Sequence, residues 1–245
     1  MKKLLIFLAS MLLAYDAKVL PFDEFDIKAS VSGEVIFADK NFEAENVNNK
    51  TIVKLDDYQE KVNKTNLKTQ IKLLKNEIKK TKEALKRKEK TYLKYKDLKT
   101  KSQIEKDLKF YDYINTYNQL INLKLSLSSD MANLKKTEDL INKKNIKANG
   151  YVYEIYVNRG DYLTPGRLVA KVYDTSREKL YIYVPIDKID SIKTKKIYIN
   201  NKLSSFKITK IWHVPDEKFV TSYKVELVGK GLKFGDIVDV EFKKE

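Results

Sequence analysis

The sequence predicts an α+β chain of several parts: a small β sandwich interrupted by a long antiparallel coiled-coil α-hairpin, followed by a small antiparallel β barrel. Three observations carry this expectation. A β-rich phrase is written twice, as "IKASVSGEVIFADKNFEAENVNNKTIVKLDD" at residues 27–57 and as "IKANGYVYEIYVNRGDYLTPGRLVAKVYD" at residues 146–174. From Asp57 to Lys143 there is neither Gly nor Pro. After residue 174, apolar and polar residues alternate between turn signals.

The chain opens on "MKKLLIFLASMLLAYDA", two lysines followed by an apolar run from Leu4 to Leu13. This is the order of a secretory signal peptide, and the run is too short to span about 30 Å of hydrocarbon. Residues 1–17 are therefore expected to direct export, with cleavage after Ala14 or Ala17. A short strand within residues 18–26 is expected to join the barrel.

Residues 27–56 form the first copy of the repeated phrase and residues 144–174 the second. Ile27, Lys28, Ala29, Gly33 and Val35 correspond to Ile146, Lys147, Ala148, Gly150 and Val152. Each copy then continues into a second apolar strand, "TIVKL" from Thr51 and "RLVAKV" from Arg167. Gly33, Gly150, Gly160 and Gly166 are expected as turn residues, with Pro165 pre-setting φ, and Asn48 and Asn49 stand where the first copy lacks a glycine. One copy is too small to bury a core, but two together can make a flattened sandwich.

Between the copies, residues 57–143 read as two helices. Leu67, Ile71, Leu74, Ile78, Thr81, Leu85, Lys88, Tyr92 and Tyr95 step by four and three, the spacing of a coiled-coil seam. Phe110, Tyr113, Tyr117, Leu120, Lys124, Leu127, Met131, Leu134, Glu138 and Ile141 repeat the pattern, and Tyr113, Leu120, Leu127, Leu134 and Ile141 are an apolar series of period seven. Ser102 followed by Glu105 is a capping box, so a helix restarts there and the chain turns near residues 99–101. Each arm is then roughly 60 Å long at 1.5 Å per residue. The hairpin brings residues 57 and 143 together, as the two β copies require. Residues 175–245 supply the short alternating strands of the barrel.

The second copy resembles the second lipoyl half-motif of the periplasmic adaptor, or membrane fusion, proteins of bacterial tripartite efflux pumps, the HlyD-like family. That family splits a lipoyl-like β sandwich with an α-helical hairpin, and the resemblance extends into the barrel through "VTSYKVEL" and the L-x-x-G-D-x-V-x-V finish at Leu232 to Val240. The resemblance implies a non-enzymatic subunit without cofactor. Its partners would be an inner-membrane transporter, RND type rather than ABC, and a TolC-like outer-membrane channel, with self-assembly into a hexameric ring. It also implies that the hairpin tip, residues 98–105, docks the channel. Leu98 and Ser102 are the candidates for the family's Leu and Ser, at a shorter spacing than the family's, and the basic position falls on Lys94 or Lys101, with Glu105 in the same tip. The family's membrane-proximal domain is expected to be absent, since the barrel finish lies at the end of the sequence. True lipoyl and biotin carriers modify a Lys on the turn that the hairpin here replaces, which disfavours a carrier.

Composition agrees with an elongated protein. Charged residues make up 34% and hydrophobic residues 42% of the chain, which suits exposed, multi-part shapes better than one thick core. The net charge is +15, and residues 57–101 hold 16 Lys+Arg against 6 Asp+Glu while residues 102–143 hold 6 against 6. The excess reads as the solvated face of the first arm. Nucleic acid is disfavoured because export removes the chain from it. The absence of cysteine excludes disulfides, thiolate metal sites and cysteine nucleophiles. His213 stands alone and cannot support a multi-His metal site. Met131 is the one internal methionine beyond the signal, and no G-x-S-x-G, P-loop or H-E-x-x-H motif occurs. Two rival readings are a structural coiled-coil envelope protein with no transport role and an ABC or type I secretion adaptor.

Overall fold

The structure is a computed structural model in which residues 14–215 and 217–244 are described. Of the leader expected at residues 1–17, residues 1–13 lie outside them. The elements run β1 (Tyr15–Lys18), β2 (Leu20–Lys28), β3 (Gly33–Ala38), β4 (Asn46–Leu55), α1 (Tyr58–Lys96), α2 (Gln103–Lys144), β5 (Asn145–Ile155), β6 (Tyr162–Leu163), β7 (Leu168–Pro185), α3 (Ile189–Ile192), β8 (Lys196–Ile199), β9 (Lys202–Leu203), β10 (Lys207–Ile211), β11 (Ser222–Gly229) and β12 (Ile237–Lys243). The chain is α+β, with one long helical region and antiparallel sheets on either side of it in sequence.

The two β-rich copies meet directly. β4 of the first pairs antiparallel with β5 of the second, from Asn46 opposite Tyr151 to Lys54 opposite Asn145. Their corresponding residues enter one core: Ala29 with Ala148 and Val35 with Val152 are all buried, beside Ile52, Leu55, Ile155, Leu163 and Val172. The halves also interlock through their turns. Ala29 donates its N–H to the Arg167 carbonyl at 2.9 Å and accepts from the Gly166 N–H at 2.8 Å, while Val35 makes the matching pair with Asp161 and Gly160. Burying these main-chain groups among one another satisfies donors and acceptors that neither half could satisfy alone.

A second core lies between two sheets. Ala17, Val238, Val240, Ile197 and Ile199 enter it from the sheet β1-β12-β8-β9, and Leu180, Ile182, Val184, Val225 and Leu227 enter from β7 and β11. The sequence expectation placed a boundary between residues 174 and 175, but β7 crosses that point as one strand. Its first half gives Val169, Ala170 and Val172 to the first core and its second half gives Leu180, Ile182 and Val184 to the second. The strand stays unbroken because β2 pairs with both halves: Asp23 to Lys28 run along Asp174 to Leu168, and Leu20 and Pro21 lie opposite Lys179 and Glu178. Residues 18–26 therefore bridge the two β units, and the N-terminal strand that belongs to the second unit alone is β1, from Tyr15 opposite Val240 to Lys18 opposite Ile237. A leader ending at Ala17 would cut through β1, whereas one ending at Ala14 leaves it whole.

The helices α1 and α2 lie antiparallel. Near their base Lys144 pairs with Glu60 at 2.6 Å and Lys64 with Glu138 at 2.9 Å; near their far end the Tyr92 ring lies 5.3 Å from Phe110 and 6.1 Å from Tyr113. On α1 the expected seam holds at Leu67, Ile71, Ile78 and Thr81, which are buried, but Lys88 is exposed. On α2 the period-seven series Tyr113, Leu120, Leu127, Leu134 and Ile141 is buried or half-buried, while Tyr117, Lys124 and Met131, expected between its members, are exposed. Tyr117 is 45% and Met131 44% exposed, against 5% for Thr116 and Thr137. The alternating positions lie one residue earlier, at Thr116, Leu123, Asp130 and Thr137, each buried or half-buried. Three of these four are Thr or Asp, which a count of apolar residues passes over in favour of Tyr117 and Met131. They enter the seam because α1 lies against that face, and the Thr116 and Thr137 hydroxyls are satisfied by donating to the Asp112 and Asn133 carbonyls one turn earlier.

Candidate functional site at the helical turn

The turn between α1 and α2 is built by local hydrogen bonds. α1 ends at Lys96, and the Leu98 N–H reaches back to the Tyr95 carbonyl at 3.2 Å. α2 begins behind Ser102, whose φ of −65° and ψ of 157° are those of an N-cap. The capping box is complete: the Glu105 N–H donates to the Ser102 Oγ at 3.3 Å, and the Ser102 N–H donates to Glu105 Oε2 at 3.0 Å. Lys101 adds an ion pair to Glu105 Oε1 at 2.9 Å. These donors hold the Glu105 carboxyl well down, at about 2, with the Lys101 hydrogen bond contributing most and the Ser102 backbone and hydroxyl next. The Lys101 ammonium is correspondingly raised by the Glu105 hydrogen bond. Tyr95 sits below, with the Lys101 and Lys109 ammonium groups 5.5 and 5.7 Å from its ring centre.

Lys101, Ser102 and Glu105 are thus one hydrogen-bonded cluster, and Leu98 is exposed beside it. Lys94 lies elsewhere, lining a shallow groove on the last turns of α1 with Lys86, Glu89, Lys90, Leu93 and Asp97. The tip also presents apolar residues that the sequence reading did not single out. Ile104 is 74% exposed, and Leu93, Leu108 and Tyr111 are exposed as well. Ile104, Leu108 and Tyr111 fall at i, i+4 and i+7 on α2, off the seam, and that spacing was the available signal.

The four glycines of the repeat do not share one role. Gly160 and Gly166, at φ 93° and 88°, occupy turns with open space where a Cβ would stand. Gly33 and Gly150 were expected in turns, but both lie in strands. A Cβ on Gly33 would press on the Leu55 side chain at 3.2 Å, and one on Gly150, at φ 119°, would stand 2.6 Å from the Tyr173 carbonyl oxygen. Their constraint is close approach between strands.

Among the described residues no cluster of three His, Asp or Glu could hold a metal ion, and no helix is long and apolar enough to cross a membrane. His213 is exposed and meets the Tyr223 ring edge-on at 5.4 Å.

A split β unit carrying a long helical pair, followed by a second β unit on a shared strand, is the arrangement that superposes on solved structures. The chain superposes on MacA from Actinobacillus actinomycetemcomitans with a TM-score of 0.73 and 13% identity, over 94% of this chain and 78% of that one. It superposes on the membrane fusion protein Spr0693 from Streptococcus pneumoniae R6 with a TM-score of 0.67 and 12% identity, over 95% and 99% of the two chains. A putative efflux transporter from Bacteroides eggerthii DSM 20697 follows at 0.61 and 13%, over 96% and 69%. At such identities the likeness is one of fold. No protein-family model and no curated protein matches the sequence.

Proposed function

We propose that the chain is a periplasmic adaptor subunit, not an enzyme, that links an inner-membrane RND-type transporter to a TolC-like outer-membrane channel. The observation that carries this reading is the direct β4–β5 ladder between the two halves of the split β unit. It fixes both ends of the helical pair at one base, so the turn at residues 97–102 is held roughly 60 Å away by helices rising 1.5 Å per residue. An element of that shape spans distance and presents a tip. The β units would pack into a hexameric ring on the transporter, and the helical pairs would bundle with their tips on the channel.

The tip assignment is tested by export of a pump substrate from cells carrying variants at unchanged protein level. Lys101→Glu with Ser102→Arg should abolish export. Because Lys101 and Ser102 also hold the turn, Leu98→Asp and Ile104→Glu are the cleaner pair: both side chains are exposed, so their loss leaves the capping box intact. Wild-type export in all of these variants sinks the docking role.

A further inference from the structure

A cleft of about 720 Å³ lies where the two β units meet, far from the helical tip. Its floor is a row across four strands. Asn46 of β4 lies opposite Tyr151 of β5, Tyr151 opposite Tyr173 of β7, and Tyr173 opposite Glu24 of β2. Directly opposed residues share one face of a sheet, and the adjoining Val152 and Val172 are buried in the first core, so this row is turned outward. Tyr153 extends the aromatic surface, its ring 5.0 Å from that of Tyr173. The wall comes from the other unit. Leu20 and Pro21 sit on the part of β2 that lies opposite Lys179 and Glu178, and Phe234 stands in the loop before β12. That loop is pinned in place: the Gly235 N–H donates to the Val19 carbonyl at 2.9 Å, and the Val19 N–H donates to the Asp236 carbonyl at 2.8 Å. The volume falls within the roughly 300–1,000 Å³ of small-molecule sites. Because main-chain ladders hold floor and wall, the cleft is formed before any ligand arrives.

Polar groups at the rim set the kind of ligand. Among the lining side chains the carboxylate is Glu24, and Lys171 neutralises it at 3.1 Å. Lys18 lines the same cleft, and among the described residues no carboxylate stands within ion-pair distance of it. Asn46 accepts from the Thr175 hydroxyl at 3.2 Å, which leaves its amide N–H groups as donors. The rings offer stacking to a planar ligand, and the unanswered cation and the amide offer hydrogen bonds to an anion.

We propose that this cleft binds a small planar aromatic compound bearing a carboxylate or sulfonate, its ring against Tyr151, Tyr153 and Tyr173 and its anion toward Lys18 and Asn46. A ligand seated there touches strands of both β units and ties them together. The site makes no use of the tip, so it stands or falls apart from the docking role of Leu98 and Ile104.

The experiment titrates three probes into the full exported chain by calorimetry: naphthalene-2-sulfonate, its uncharged match naphthalene-2-sulfonamide, and the cation 2-naphthylmethylammonium. The sulfonate should bind roughly tenfold more tightly than the sulfonamide, the size of a hydrogen bond to a charged group, and the ammonium should bind most weakly. Lys18→Gln should remove the preference for sulfonate over sulfonamide while the sulfonamide still binds. Tyr153→Ala should weaken both at least about tenfold through lost stacking. Tyr153 is 53% exposed, so its truncation leaves the core intact, and melting curves without ligand check that each variant folds. Tyr162→Ala removes an exposed tyrosine outside the cleft and should bind like wild type. Saturating sulfonate should raise the melting temperature of the wild-type chain and not that of Tyr153→Ala. No binding of the sulfonate at millimolar concentration, tighter binding of the ammonium, equal losses at 153 and 162, or an unchanged sulfonate preference in Lys18→Gln overturns the proposal.

Discussion

Asn63 on α1 donates its side-chain amide to the Thr137 hydroxyl on α2 at 3.3 Å, and Thr137 in turn donates to the Asn133 carbonyl one turn before it. A polar pair thus occupies the helix–helix seam near its base, at a position where the apolar pattern selects Glu138. The same shift of one residue recurs at Thr116 beside Tyr117, and it decides which substitutions matter.

Truncations on α2 should follow that register. Leu120→Ala should cost roughly 2–5 kcal/mol, the range for removing a buried leucine side chain. Tyr117→Ala and Met131→Ala should stay within about 0.5 kcal/mol, as exposed positions do. Urea unfolding followed by far-UV circular dichroism separates the two, and equal losses at 117 and 120 would refute the register.

At the tip, Ser102→Ala should cost about 1 kcal/mol, the usual value of an N-cap. The Glu105 contribution is pH-dependent. Its folded-state value lies near 2, below the ordinary 4.5, so the stabilisation is present above pH 4.5 and is lost as pH falls through about 2. Carboxyl-carbon NMR should show a Glu105 midpoint near 2 that moves up in Lys101→Met; an ordinary midpoint in the native chain would remove the cluster from the account.

The glycines should separate by mechanism. Gly150→Ala combines a φ of 119° with a Cβ 2.6 Å from the Tyr173 carbonyl oxygen, and should cost several kcal/mol or prevent folding. Gly160→Ala and Gly166→Ala meet open space and pay only for the left-handed backbone, about 1 kcal/mol. Gly229→Ala belongs with Gly150, since its Cβ would lie 2.4 Å from the Phe206 ring. Thermal melts of the four proteins give the order directly.

The mature N-terminus should be Tyr15. Cleavage after Ala17 would remove three of the four β1 pairs with β12 and the buried Ala17 side chain from the second core. Intact-mass measurement of the exported protein reads the position, and a chain engineered to begin at Lys18 should melt lower than one beginning at Tyr15.

By itself the sequence determined those features whose cause is local. The run from Asp57 to Lys143 is helical on either side of one turn because no Gly or Pro interrupts it, and Ser102 and Glu105 mark the restart of α2 because a capping box needs only three residues of separation. The duplicated phrase brought Ala29, Val35, Ala148 and Val152 into one core because alternation fixes which face each presents. Tertiary structure alone decided what depends on a neighbour distant in sequence. Thr116 and Thr137 enter the seam because α1 lies against them, and Gly33 and Gly150 are needed because Leu55 and Tyr173 press close. β7 runs through both cores because β2 pairs along both of its halves. The opposed carboxylates Asp16 and Asp239 stand far apart in the chain, and only strand pairing sets them face to face.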